Sequence, residues 1–142
     1  MAEWFKKKVV VYQPHGIAIQ PSPLHGCGVF ANKTFIPGAV IEIAPAVIME
    51  QANKDLLQAT TLFNYYFVIG NKNFPVAFGL GYASLYNHAY KANAVYSISL
   101  KDATITIKAC KKITAGEEIT LNYNGSPNDA TPVYFAPEEI AT

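Results

Sequence analysis

Gly79-Leu80-Gly81-Tyr82-Ala83-Ser84-Leu85-Tyr86-Asn87-His88-Ala89-Tyr90-Lys91-Ala92-Asn93-Ala94 is too polar and aromatic for a plain strand and too long for a turn. A long irregular segment inside a small domain is usually functional. Within it, Asn87 offers both a donor and acceptors. His88 offers two ring nitrogens and a backbone able to recognise a purine edge. The other reading open to these two side chains is that they satisfy buried backbone groups of the loop.

Hairpin signals lie on both sides. Tyr65 to Ile69 and Phe74 to Phe78 flank Gly70-Asn71-Lys72-Asn73, and Val95 to Leu100 and Ala103 to Ala109 flank Lys101-Asp102. Thr104-Ile105-Thr106-Ile107-Lys108 alternates polar and apolar, as a strand with one buried face does. Further out, Val9 to Tyr12, Ile17 to Gln20, Gly28 to Ala31 and Ile119 to Tyr123 read as short strands. Ala39 to Met49 is β-branched and interrupted by Pro45, which predicts two strands or one bent edge strand. Only Glu50 to Thr60 carries good helix formers, for about three turns at most. The expected fold is one mostly β domain with little helix.

Composition narrows the function. The chain has 142 residues, 51% hydrophobic and 15% charged, with formal net charge +1. That supports a packed core and gives no general attraction to nucleic acid or to an anionic membrane. All 11 basic residues are lysines, so an anionic ligand must be held by Lys, hydroxyls or backbone N–H groups rather than by an Arg fork. Cys27 and Cys110 are too few and too far apart for a disulfide scaffold or a thiolate zinc site. His15, His25 and His88 lack ligand spacing, so no metal is expected. The lysine-rich start, Met1 to Tyr12, is too short in its apolar part for a signal peptide or a membrane span. The expectation is a soluble, cytoplasmic protein.

Two more segments stand out. In Leu24-His25-Gly26-Cys27-Gly28-Val29-Phe30, two glycines one residue apart let the backbone turn sharply and approach a ligand closely. In Gly116-Glu117-Glu118-Ile119-Thr120-Leu121-Asn122-Tyr123, the adjacent carboxylates face opposite ways on a strand, which argues against a paired acid and base. Tyr123, at the strand's end, is placed to reach into a cleft.

In this order and at these separations, the three segments resemble the SET-domain family. They correspond to its Gly-x-Gly-Val (Gly26 to Val29), its Asn-His followed by Pro-Asn (Asn87-His88, then Ala92-Asn93) and its Gly-Glu-Glu-Leu-x-x-x-Tyr (Gly116 to Tyr123). Tyr65-x-Phe67, Gly79-Leu80-Gly81 and the tail from Asn122 to Phe135 look like compact bacterial and viral members. The resemblance implies a single SET domain over 1–142, with its core at about 16–135 and no zinc-binding module after it. It implies small twisted β-sheets with a C-terminal pseudoknot.

The function it implies is methylation of a protein lysine with S-adenosylmethionine. Tyr123 would be the catalytic tyrosine. Gly26, Cys27, Gly28, Asn87, His88 and Tyr134 would hold the cofactor, and Tyr65, Tyr86 and Phe135 would line the lysine channel. The partner would be a lysine-bearing protein segment, and a homodimer is allowed. Ala89 replaces the usual Ser, Leu85-Tyr86 the usual Arg-Phe, and Ala92 a common Pro. These departures keep open a catalytically weak SET-like module that binds a peptide or cofactor, with a β-barrel interaction protein as the remaining alternative.

Overall fold

Val40–Met49 forms β3, a continuous ten-residue strand and the spine of the molecule. The computed structural model describes residues 14–133, so Val9 to Tyr12 lies outside them. Pro45 neither breaks β3 nor marks an edge. Up to Pro45 the strand pairs antiparallel with Thr104–Ala109 (β8), and from Ala46 it pairs with Val76–Gly79 (β5). A residue without an N–H sits where one partner hands over to the other, so no ladder bond is lost.

The rest follows the local signals. Ile17–Pro21 (β1) and Cys27–Ala31 (β2) pair antiparallel, as do Tyr66–Val68 (β4) with β5 and Ala94–Ser99 (β7) with β8. The helix is shorter than expected. Gln51–Leu57 (α1) buries no residue, and a 3-10 turn at Thr61–Asn64 follows it. With no face to pack, the helix ends early. Ile105 and Ile107 of β8 are fully buried, as the alternation predicts, alongside Val29, Ile113, Ile119 and Leu121.

Two short strands complete the sheet. Glu118–Leu121 (β9) pairs antiparallel with β2 on one edge. On its other edge it runs parallel to the two-residue strand Asn87–His88 (β6) and meets β7 at Ala94. The small ladders thereby join in the order β1-β2-β9-β7-β8-β3-β5-β4, with β6 beside β9.

After β9 the chain folds back across the segment that follows β6. Asn122 donates to the carbonyls of Tyr90 and Asp129, and the Ala92 N–H donates to Pro127. The Asn93 side chain donates to the Glu118 carbonyl at 2.8 Å and accepts from the Thr120 N–H at 2.9 Å. This interlock is the C-terminal pseudoknot of the expected fold.

Candidate active site

The period-two geometry of β6 turns Asn87 and His88 to opposite sides, and the site is built from that split. Asn87 is 6% exposed. Its Nδ2 lies 3.0 Å from the His25 carbonyl, 3.1 Å from the Cys27 carbonyl and 2.8 Å from Glu118 Oε1. Two hydrogens thus serve three acceptors, and the cradle keeps acceptor capacity to spare. Ser22 donates its hydroxyl to the Glu118 carboxylate as well. Gly26 has φ +47° with open space where a Cβ would stand. At Gly28 a Cβ would run into Glu118 and Asn87, so close backbone approach requires glycine there. Cys27, between them, is exposed.

Glu118 is the residue of this cradle that sequence reasoning missed. Its neighbour Glu117 only closes a turn, accepting from the Thr114 N–H. The opposite facing of adjacent strand residues was the available signal, and it separates the two carboxylates into a turn group and a cradle group.

The other side of β6 is aromatic. His88 Nδ1 accepts the Tyr123 N–H at 3.1 Å, which puts the proton of the neutral imidazole on Nε2. The ring packs edge-on against Tyr90, with centroids 4.5 Å apart, and against Tyr123 at 5.2 Å. Burial lowers the His88 pKa. Tyr123 is 43% exposed as a residue, yet its hydroxyl is enclosed and donates to the Tyr86 carbonyl at 2.8 Å. Burial above all, then the nearby Tyr65 and Glu118, push its pKa up to about 12. The phenol is therefore neutral at physiological pH.

Tyr65 stands within electrostatic reach of Tyr123 and is itself exposed. Tyr86 corrects an expectation. It is 2% exposed and its hydroxyl donates to Glu42, so its ring belongs to the core. What it presents to Tyr123 is its carbonyl. Tyr134 and Phe135 lie outside the described residues.

The sequence pattern of the SET domain matches residues 26–124. The chain belongs to the SET-domain family. No curated protein matches it. Among solved structures it is similar to a Plasmodium falciparum protein described as a candidate histone methyltransferase. The two are 28% identical with TM-score 0.64, over 81% of this chain and 97% of the other. It is also similar to a humanized mutant of the Chaetomium thermophilum Polycomb Repressive Complex 2 with an inhibitor bound, at 21% identity and TM-score 0.66. That match covers 82% of this chain but only 16% of the other, and shows the fold alone.

Within this SET domain the departures from the common motif have local reasons. The Ala92 N–H donates to Pro127, a bond that the common Pro could not make. The Ala89 N–H donates to the Leu121 carbonyl, so the backbone is fixed there without a serine side chain. Tyr86 uses the hydroxyl that a Phe lacks to reach Glu42. Among the described residues no group of three or more His, Cys, Asp or Glu could hold a metal ion, and no helix is long and apolar enough to cross a membrane.

Proposed function

We propose that this chain methylates a lysine side chain of a protein substrate using S-adenosylmethionine. One observation carries the reading. The single short strand β6 joins an acceptor-rich polar cradle at Gly26, Gly28, Asn87 and Glu118 to an aromatic cluster at His88, Tyr65 and Tyr123.

The cradle suits the cofactor's amino-acid end. A primary ammonium has three hydrogens, and the carbonyls of His25 and Cys27 with the Glu118 carboxylate supply converging acceptors. The open space at Gly26 admits a ligand against the backbone. In the same reading the His88 backbone and Tyr134 would be the groups that hold the adenine end. When bound, S-adenosylmethionine supplies a methyl group on a positive sulfonium, which also disfavours a second cation beside it.

The remaining work falls to the aromatic half. A lysine must be neutral to act as a nucleophile, and at pH 7 that costs about 4–5 kcal/mol for a free side chain. Tyr65, Tyr123 and Phe135 would enclose the alkyl stem and remove water, which lowers the cost. Tyr123 stays a neutral phenol, so it adds no anion that would hold the lysine's proton in place. With its O–H engaged in a hydrogen bond to the Tyr86 carbonyl, its oxygen lone pairs are left to orient the amine. Alignment and water exclusion then account for the rate, without a strong general base.

Incubation with methyl-labelled S-adenosylmethionine and a mixed protein extract tests the reading. Label is expected on protein and is expected to vanish when extract lysines are chemically blocked. Calorimetric binding of S-adenosylhomocysteine without any labelling would assign the chain to the binding-module alternative instead.

A further inference from the structure

Simple alternation along β3 would put Ile41 and Ile43 on one face and Glu42 on the other. The strand does otherwise. Its register against β8 slips between Val40 and Glu42, and Ile41 and Glu42 are both buried, 2% and 1% exposed. A bulge of this kind re-aims a side chain. Here it turns a carboxylate into an apolar core, where burial raises its pKa. Two hydrogen bonds offset that cost. Glu42 Oε1 accepts the Tyr82 N–H and Oε2 accepts the Tyr86 hydroxyl, each at 2.9 Å.

Gly81 closes the arrangement. Its φ is +63°, and a Cβ there would lie 2.7 Å from Glu42 Oε1. The backbone thus packs directly on the carboxylate. Glu42 grips the segment leading into Asn87 at two places, Tyr82 and Tyr86. The carbonyl of that same Tyr86 receives the Tyr123 hydroxyl.

We infer that Glu42 is a positioning residue for Tyr123. It acts through Tyr86, whose hydroxyl it holds and whose carbonyl fixes the direction of the Tyr123 phenol. The inference rests on the reading of Tyr123 as the catalytic tyrosine. The link belongs to this chain, because a Phe at position 86 would have no hydroxyl to offer.

Two variants of the full chain test it. Tyr86→Phe keeps the ring and the carbonyl and loses only the grip. Glu42→Gln replaces one of two acceptor oxygens by a donor, so it cannot accept from both Tyr82 and Tyr86. Each is expected to lower kcat about tenfold, as small misplacements of reacting groups do, with KM for S-adenosylmethionine unchanged. The double variant is expected to be no slower than either single, the signature of one coupled unit.

A second readout needs no turnover. In protein labelled at tyrosine Cζ, the Tyr123 resonance, assigned by its absence in Tyr123→Phe, is expected to move in both variants and to titrate at lower pH. A Tyr123 resonance unmoved in Tyr86→Phe, with kcat unchanged and only Tm lowered, would overturn the link. If Glu42→Gln fails to fold, Tyr86→Phe alone decides. Normal turnover by Tyr123→Phe overturns the catalytic reading itself, whereas the resonance shift reports the link separately.

Discussion

Asn87 and His88 are neighbours in a two-residue strand, yet they build opposite environments. Asn87 donates to two carbonyls and a carboxylate, and that carboxylate also accepts a serine hydroxyl. His88 packs against the rings of Tyr90 and Tyr123 and accepts the Tyr123 backbone N–H. The polar half can hold a charged ligand end in place. The aromatic half can strip water from an amine. Strand alternation, a property of the backbone alone, puts the two environments on opposite faces with no residue between them.

If that division is real, variants should separate affinity from turnover. The largest effect is expected from Tyr123→Phe, which removes the hydroxyl bound to the Tyr86 carbonyl. Methyl transfer should fall at least about a hundredfold, with S-adenosylhomocysteine affinity by calorimetry nearly unchanged. Comparable losses in both quantities would merge the halves. Asn87→Ala should do the reverse, weakening cofactor binding about tenfold and lowering unfolding stability by about 1–3 kcal/mol, because it strips the donor from buried acceptors. Calorimetry and urea unfolding read the two losses, and an unchanged affinity would remove Asn87 from the cradle.

Gly28→Ala should act in the same direction as Asn87→Ala, by driving a Cβ into Glu118 and Asn87. A binding isotherm like that of the parent chain would show that the cradle yields at no cost.

The smallest effect concerns pH. Burial lowers the His88 pKa in the folded chain, so between that value and the ordinary value of about 6.5 the unfolded chain binds a proton that the native one does not. The contribution is therefore fully present above about pH 6.5 and lost as pH falls toward the folded-state value. Tm is expected to drop more steeply on acidification from pH 7.5 to 5.5 in the parent chain than in His88→Asn. Parallel curves would show that His88 does not sense its aromatic surroundings.

The two regions also differ in how much of them the sequence disclosed. The β7–β8 hairpin was legible because Ile105 and Ile107 alternate with threonines around a polar turn, and local chemistry decides such a ladder. The crossing of β9 with the segment from 87 to 93 was legible only through family resemblance. Its bonds, such as Asn93 to Glu118 and Thr120, join residues whose pairing no local period encodes. Asn87, His88 and Tyr123 were found by motif, and the structure brings them together. Glu118 and Glu42 were not found. One was hidden among turn carboxylates, and the other stood in a strand whose regular alternation a single bulge overrides. Tyr86 was identified for its ring, whereas the structure engages its carbonyl and hydroxyl. Side-chain type reports what a residue can do, and only its neighbours decide which atom does it.

The position of β9 has a consequence for how the candidate site is assembled. Its partners are β2 on one side and β6 and β7 on the other, and Ser22 and Glu118, which meet in the cradle, are 96 residues apart in the chain. Contacts of such separation carry the largest loop-closure entropy and form slowly. The hairpins β4–β5 and β7–β8 close over short connections at a smaller cost. Docking β9 is the event that creates Asn87's carboxylate partner, His88's backbone partner and the Tyr123–Tyr86 bond together. Under the proposed function, ligand holding and chemistry would therefore both depend on that one strand, and whatever loosens it is expected to weaken both.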